Sequence, residues 1–196
     1  MTQLALIRHA ASAWSERGLI QGRADPSLSP AGAAAAAAWR VPAVLAAFDW
    51  VASPLARATE SARLLLGREA AVEPSLIEMA WGEWEGERLA ELRTKLGAAL
   101  AENEGRGLDF RPPGGESPRD VQRRLEPWLA HVALRARSTA AVTHKGVIRA
   151  VVGLATGWDF LGKPPLRLAP ATAQLFELDE GGRPRLLSAN IPLTAP

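Results

Sequence analysis

The chain has 196 residues, 47% of them hydrophobic and 22% charged, with a formal net charge of +2. These values exclude a disordered or fibrous chain and suffice for one domain with a sizeable core. The absence of cysteine excludes disulfides, thiolate metal centres and thiol nucleophiles, and no dense basic run points to nucleic acid. The most apolar long window, residues 31–48, is mostly alanine and contains Arg40 and Pro42. A membrane span needs roughly 20 strongly apolar residues. Neither a membrane span nor a secretory leader is expected, and a cysteine-free chain of this kind is expected in the cytoplasm.

The apolar run at residues 4–7 predicts a buried strand that delivers Arg8 and His9 at its end. A helix is expected over 31–40, a strand over 50–52, and a helix over 55–66. Ser-Pro pairs at Ser29-Pro30, Ser53-Pro54 and Ser117-Pro118 each read as an N-cap followed by proline in the first turn. Asp120, three residues after Ser117, adds a capping-box pattern. Residues 74–118 interrupt the alternation and read as a lid-like insertion. A helix from 119 to about 137 should bend at Pro127. A strand over 140–143 delivers His144, and a helix follows from near Gly146 to Gly157. Strands over 173–178 and 185–188 flank Gly181-Gly182 and read as a hairpin. Alternating strands and helices predict a single domain over residues 1–196, a three-layer α/β/α sandwich with a mainly parallel mixed central sheet.

In open α/β sheets, ligands bind beyond the carboxyl ends of strands. Arg8-His9 and His144-Lys145 therefore stand where chemistry is expected. A neutral imidazole nitrogen is a competent nucleophile toward phosphorus, and arginine offers a fork of donors matched to phosphate oxygens. Arg57, one turn into the 55–66 helix, adds charge near a helix N-terminus that itself favours anions. Glu78, between Ile77 and Met79, is a candidate for a desolvated carboxyl that keeps its proton. Glu73, Glu83, Glu85 and Glu87 are close by, and residue chemistry leaves the choice among them open. His131 falls mid-helix and is assigned no role. Trp81 and Trp84 are read as lid core.

In order and spacing, these blocks resemble the histidine phosphatase superfamily, the phosphoglycerate-mutase-like proteins. That family opens with a strand and Arg-His-Gly, matched by Arg8-His9-Ala10, and goes on to a tryptophan and asparagine, matched by Trp14-Ser15. Further blocks match at Gln21-Gly22 through Gly32, at residues 53–62, at Glu78 with residues 82–86, at 114–117 and at 143–149. The departures are Ala10 and Lys145 in place of glycines, and Ser15 in place of an asparagine that touches phosphate in the family.

The resemblance implies a phosphohistidine mechanism without metal or other cofactor. His9 is the implied nucleophile and Glu78 the implied acid. Arg8, Arg57 and His144 hold the phosphoryl oxygens, with Ser15, Gln21, Gly22 and Lys145 as further substrate-binding positions. The implied partner is a small phosphomonoester. Short length and Gln21 before Gly22 resemble the phosphatase branch more than the mutases. A phosphoglycerate-type mutase is the alternative, as is a catalytically weak member that binds or scaffolds a phosphorylated ligand. Oligomeric state is not legible.

Overall fold

The computed structural model describes residues 2–193. Six strands, β1 (Thr2–Arg8), β2 (Asp49–Ala52), β3 (Ala71–Val72), β4 (Thr139–Thr143), β5 (Thr172–Leu178) and β6 (Pro184–Pro192), form one sheet. Their order is β3-β2-β4-β1-β5-β6. The four strands from β3 to β1 are parallel, and β5 and β6 add an antiparallel hairpin. The expected mainly parallel mixed sheet is thus found.

Side chains alternate across a strand, and both faces of this sheet are buried. Leu4, Leu6 and Phe176 project into one core with α6 (Pro118–Leu134) and α7 (Lys145–Thr156). Ala5, Ile7, Trp50 and Ala52 project into the other with α2 (Pro30–Ala37) and α3 (Ala56–Leu66). This two-sided burial explains why β1 and β4 read as continuous apolar runs instead of alternating ones. Among the described residues no helix is long and apolar enough to cross a membrane.

Two of the three Ser-Pro pairs cap as expected. Ser29 accepts from Gly32 N at 2.9 Å, and Ser117 forms a capping box with Asp120. The third does not. Helix α3 begins at Ala56, and its first N–H groups are served by Asp25, whose Oδ1 accepts from Ala56 N at 2.8 Å. Two helices are shorter than predicted. Helix α2 ends at Ala37, ahead of Pro42, and α6 ends at Leu134, before Ala136 turns to a φ of +52°. Helix α6 runs on through Pro127, which lies on the exposed side opposite Val121, Leu125 and Leu129.

The 74–118 insertion is more ordered than its irregular sequence implies. It carries α4 (Leu89–Leu96) and α5 (Ala98–Glu104), and Trp84, Leu92 and Leu100 form a small core of their own. Trp81, Phe110 and Ile20 pack against it, which ties the insertion to the first loop of the molecule. Trp84 lies in this small core, whereas Trp81 is only partly buried and also lines the cavity described below.

Candidate active site

Strands β1 and β4 are parallel neighbours in register, Arg8 beside Thr143. The ladder continues one residue further through His9 N and Thr143 O at 2.9 Å. His9 and His144 therefore leave the sheet side by side, with ring centroids 5.1 Å apart. Two residues that are 135 positions apart in sequence meet because two strand ends coincide.

His9 is 6% exposed. Its Nδ1 lies 2.6 Å from the carbonyl oxygen of Ala10. A carbonyl can only accept, so Nδ1 carries the proton and Nε2 keeps its lone pair. Burial lowers the His9 pKa to about 3, and Arg57 and Arg8 push the same way, against the Ala10 hydrogen bond. The imidazole is neutral at ordinary pH. Ala10 is buried without a positive φ, so the methyl that replaces the family's glycine is accommodated without strain.

His144 is fully buried, and its Nε2 lies 2.6 Å from Ser53 Oγ. This is where the third Ser-Pro serine is used. Burial, followed by repulsion from His9 and Arg57, keeps the His144 pKa well below its ordinary value. Arg57, also fully buried, donates from its two terminal nitrogens to Gly22 O and Ala24 O, each at 2.8 Å. Gly22 takes a φ of +53°, and a Cβ there would stand 2.0 Å from Glu85 Oε1, so the loop that holds Arg57 requires glycine.

Three side-chain nitrogens here are buried without a hydrogen-bond partner: Arg8 Nε, Arg57 Nε and His144 Nδ1. Orphaned buried donors are costly and rare. All three are on groups that can donate N–H, and they fall in one cluster around His9.

Glu78 is 9% exposed and lines the same cavity as Arg8 and His9. Its carboxylate accepts from Met79 N at 2.9 Å and Gly146 N at 3.2 Å. Burial raises its pKa, and these two N–H groups, Arg57 and Arg8 only partly offset that. Two of the other carboxylates are occupied otherwise, and Glu83 and Glu87 are not buried. Glu85 accepts from the backbone N–H groups of Arg23, Ala24 and Trp81 and so staples the lid to the first loop. Glu73 accepts from Ser75 N at 2.9 Å. The choice that residue chemistry left open is thus narrowed by burial.

The remaining predicted positions divide. Gln21, Gly22 and Lys145 line a cavity of about 600 Å³ with Arg8, His9 and Glu78. Arg57 and His144, both fully buried, are not among the residues that line it. Ser15 is not brought in: its hydroxyl donates to Ser12 O and accepts from Ser12 N, closing the capping box of α1 (Ala13–Glu16). His131 stays outside the cavity.

Two residues were missed. Arg149, one turn into α7, lines the cavity; the i, i+4 spacing from Lys145 could have found it. Arg124 of α6 donates to Ser75 O, to Ile77 O and, at 3.2 Å, to Glu116, and so braces the segment that carries Glu78. No local signal marks it.

The sequence pattern of the histidine phosphatase superfamily (branch 1) matches residues 4–192. The 2,3-bisphosphoglycerate-dependent phosphoglycerate mutase of Beijerinckia indica is 31% identical over 191 residues, 91% of this chain and 87% of that protein. The mutase of the same name from Azorhizobium caulinodans is 32% identical over 76% of this chain and 79% of its own length. Among solved structures, mycobacterial glucosyl-3-phosphoglycerate phosphatase is 26% identical with a TM-score of 0.77, each chain fully covered. Phosphoserine phosphatase from Entamoeba histolytica, in complex with 3-phosphoglyceric acid, is 26% identical with a TM-score of 0.79 over 97% of each chain. The α-ribazole phosphatase of Shigella flexneri, 22% identical with a TM-score of 0.81, shares the fold.

Proposed function

Because the chain belongs to the histidine phosphatase superfamily, branch 1, we propose that it hydrolyses a small phosphomonoester through a phosphohistidine at His9. The observation that carries this reading is the cluster of three orphaned nitrogens, on Arg8, Arg57 and His144, around a neutral His9 that faces Glu78 across one cavity.

In the first step His9 Nε2 forms a bond to phosphorus as the ester P–O bond breaks. Arg8, Arg57 and His144 donate to the equatorial oxygens, where charge must be stabilised in phosphoryl transfer. Ser53 Oγ accepts from Leu55 N at 3.4 Å and has one proton to give. Donated to His144 Nε2, it leaves the His144 proton on Nδ1, aimed at the anion. Glu78 passes its proton to the departing oxygen. In the second step water attacks phosphorus, the N–P bond breaks, and Glu78 recovers a proton from the water. The fixed cations supply the electrostatic work, so no metal enters the scheme. Residues 74–118 serve as the specificity lid of a single domain.

The mutase relatives keep a second reading in view, in which the phosphoryl group returns to a phosphoglycerate instead of to water. Gln21 before Gly22 favours hydrolysis. Rapid quenching with a labelled aryl phosphate should trap an acid-labile, base-stable phosphoenzyme that is absent in His9→Ala. Labelling that survives His9→Ala defeats the assignment. Isomerisation of 3-phosphoglycerate in the presence of 2,3-bisphosphoglycerate, faster than phosphate release, selects the mutase instead.

A further inference from the structure

Beside the catalytic cavity lies a second depression of about 420 Å³. Eight residues line it, and five are cations: Arg8, Lys145, Arg149, Lys163 and Arg167. The other three are proline and leucine, so its wall contains no carboxylate. Arg8, Lys145, Arg149 and Pro164 also line the catalytic cavity, so the two depressions share a wall.

Among the described residues, none of these five cations takes part in an ion pair, although thirteen ion pairs are formed elsewhere. Surface arginines of this protein usually find a carboxylate, as Arg119 finds Asp109 and Arg185 finds Glu177. Here three elements converge without one: the end of β1, the first turn of α7 and the connection that follows α7. Lys145 and Arg149 are four residues apart on α7 and share a face. Burial lowers the pKa of each, and neighbouring cations push the same way: Arg149 and Arg8 on Lys145, Arg8 on Arg149. The carboxylate that pulls back is Glu78, on the catalytic side. A concave surface lined by one sign of charge focuses its field and concentrates the opposite ion.

We propose that this depression is a second anion subsite, and that the substrate is a phosphomonoester whose leaving group carries a further acidic group, carboxylate or phosphate, held by Lys145, Arg149, Lys163 and Arg167. The inference rests on the phosphomonoesterase reading of the main cavity. Arg8 stands in the shared wall, so the phosphoryl group and the second acid lie on either side of it. Anchoring the far end of the leaving group orients the ester bond toward His9, which is how remote binding energy is turned into rate. Lys145, which departs from the family's glycine, belongs to this subsite.

Stable phosphonates test the subsite apart from catalysis. Titration calorimetry compares propylphosphonate with 3-phosphonopropionate and propane-1,3-bisphosphonate, on the intact protein and on a Lys163→Met/Arg167→Met double variant. Both positions are exposed, so the fold tolerates the change. At least one bifunctional ligand should bind about tenfold or more tightly than propylphosphonate in the wild type. Which of the two wins distinguishes carboxylate from phosphate. The advantage should vanish in the double variant and shrink with added salt. Equal affinities for all three in the wild type, or an advantage that survives the double substitution, overturns the subsite. Phosphonates cannot be turned over, so this outcome is independent of the phosphohistidine assay. A retained preference without a trapped phosphoenzyme would sink the hydrolase reading and leave the subsite standing.

Discussion

The pKa values of His9 and Glu78 are both shifted by burial, in opposite directions, and each shift has a measurable consequence. Burial raises the Glu78 pKa above the usual carboxylate range, against the pull of Met79 N, Gly146 N, Arg57 and Arg8. Glu78→Gln should slow alkyl phosphates by about 10²–10⁴-fold, the usual worth of general acid catalysis, and aryl phosphates far less, because their leaving groups need little protonation. In the wild type, alkyl ester turnover should fall as pH rises through the raised Glu78 pKa, since only the protonated acid can donate. Aryl turnover should lack that limb. Equal losses on both ester classes would reduce Glu78 to a positional role. His9, with its pKa near 3, affects stability instead. Between pH 6.5 and about 3 the unfolded chain binds a proton at this histidine and the folded chain does not. Stability is therefore lost as pH falls through 6.5, with the loss ending near pH 3. Urea denaturation of His9→Asn in phosphate-free buffer should show a shallower acid-side decline than the wild type. Parallel curves would mean that His9 is not held neutral by the fold. Sequence chemistry placed His9 at a strand end beside an arginine, and the structure has it at the end of β1. It could not separate Glu78 from Glu85, because what divides them is that Glu78 is buried in the cavity while Glu85 is tied up by three backbone N–H groups.

Helix α7 carries out two tasks with its first two residues. Lys145 faces both depressions, and Gly146 donates its N–H to Glu78. A Cβ at position 146 would lie 2.4 Å from Glu78 Oε1 and 3.3 Å from Met79 Cβ. Alanine is a better helix former than glycine by roughly 1 kcal/mol, so Gly146→Ala favours the helix while it displaces the acid. The expected result is a variant at least as stable as the wild type with alkyl phosphate turnover reduced by up to about 10²-fold and aryl turnover reduced less, read by steady-state kinetics on both substrates. A loss that is equal on both substrates would place the damage at His9 or the nitrogens around it. Elements with a regular apolar pattern or a cap were legible: β1, β4, α3, α6 and the hairpin. The lid helices α4 and α5 were not, because their apolar residues serve a small satellite core and not the main one. The Ser53 reading failed for a related reason. Its hydroxyl was needed by His144, and Asp25, thirty-one residues from Ala56, took over the cap.

At the scale of the whole molecule, the charge arrangement makes one further demand. In the proposed mechanism Arg8, Arg57 and His144 are the fixed donors to the phosphoryl group, so exhaustive chelation should leave phosphatase activity intact, and vanadate should compete with substrate. Activity lost to a chelator and restored by a divalent ion would contradict the mechanism. The sequence by itself determined the fold class and the two strand-end histidines. Two-sided burial writes itself as apolar runs, and a strand end must be followed by whatever the loop displays. It also carried, through the spacing of its motifs, the resemblance to the superfamily. The tertiary structure alone decided which carboxylate is buried in the cavity with His9, which nitrogens are left without partners, and that Ser15 serves a helix cap. It alone brought Arg8, Lys145, Arg149, Lys163 and Arg167 to one depression. Each of these depends on which groups are desolvated together, and desolvation is set by the packing of segments distant in the chain, which no local pattern records.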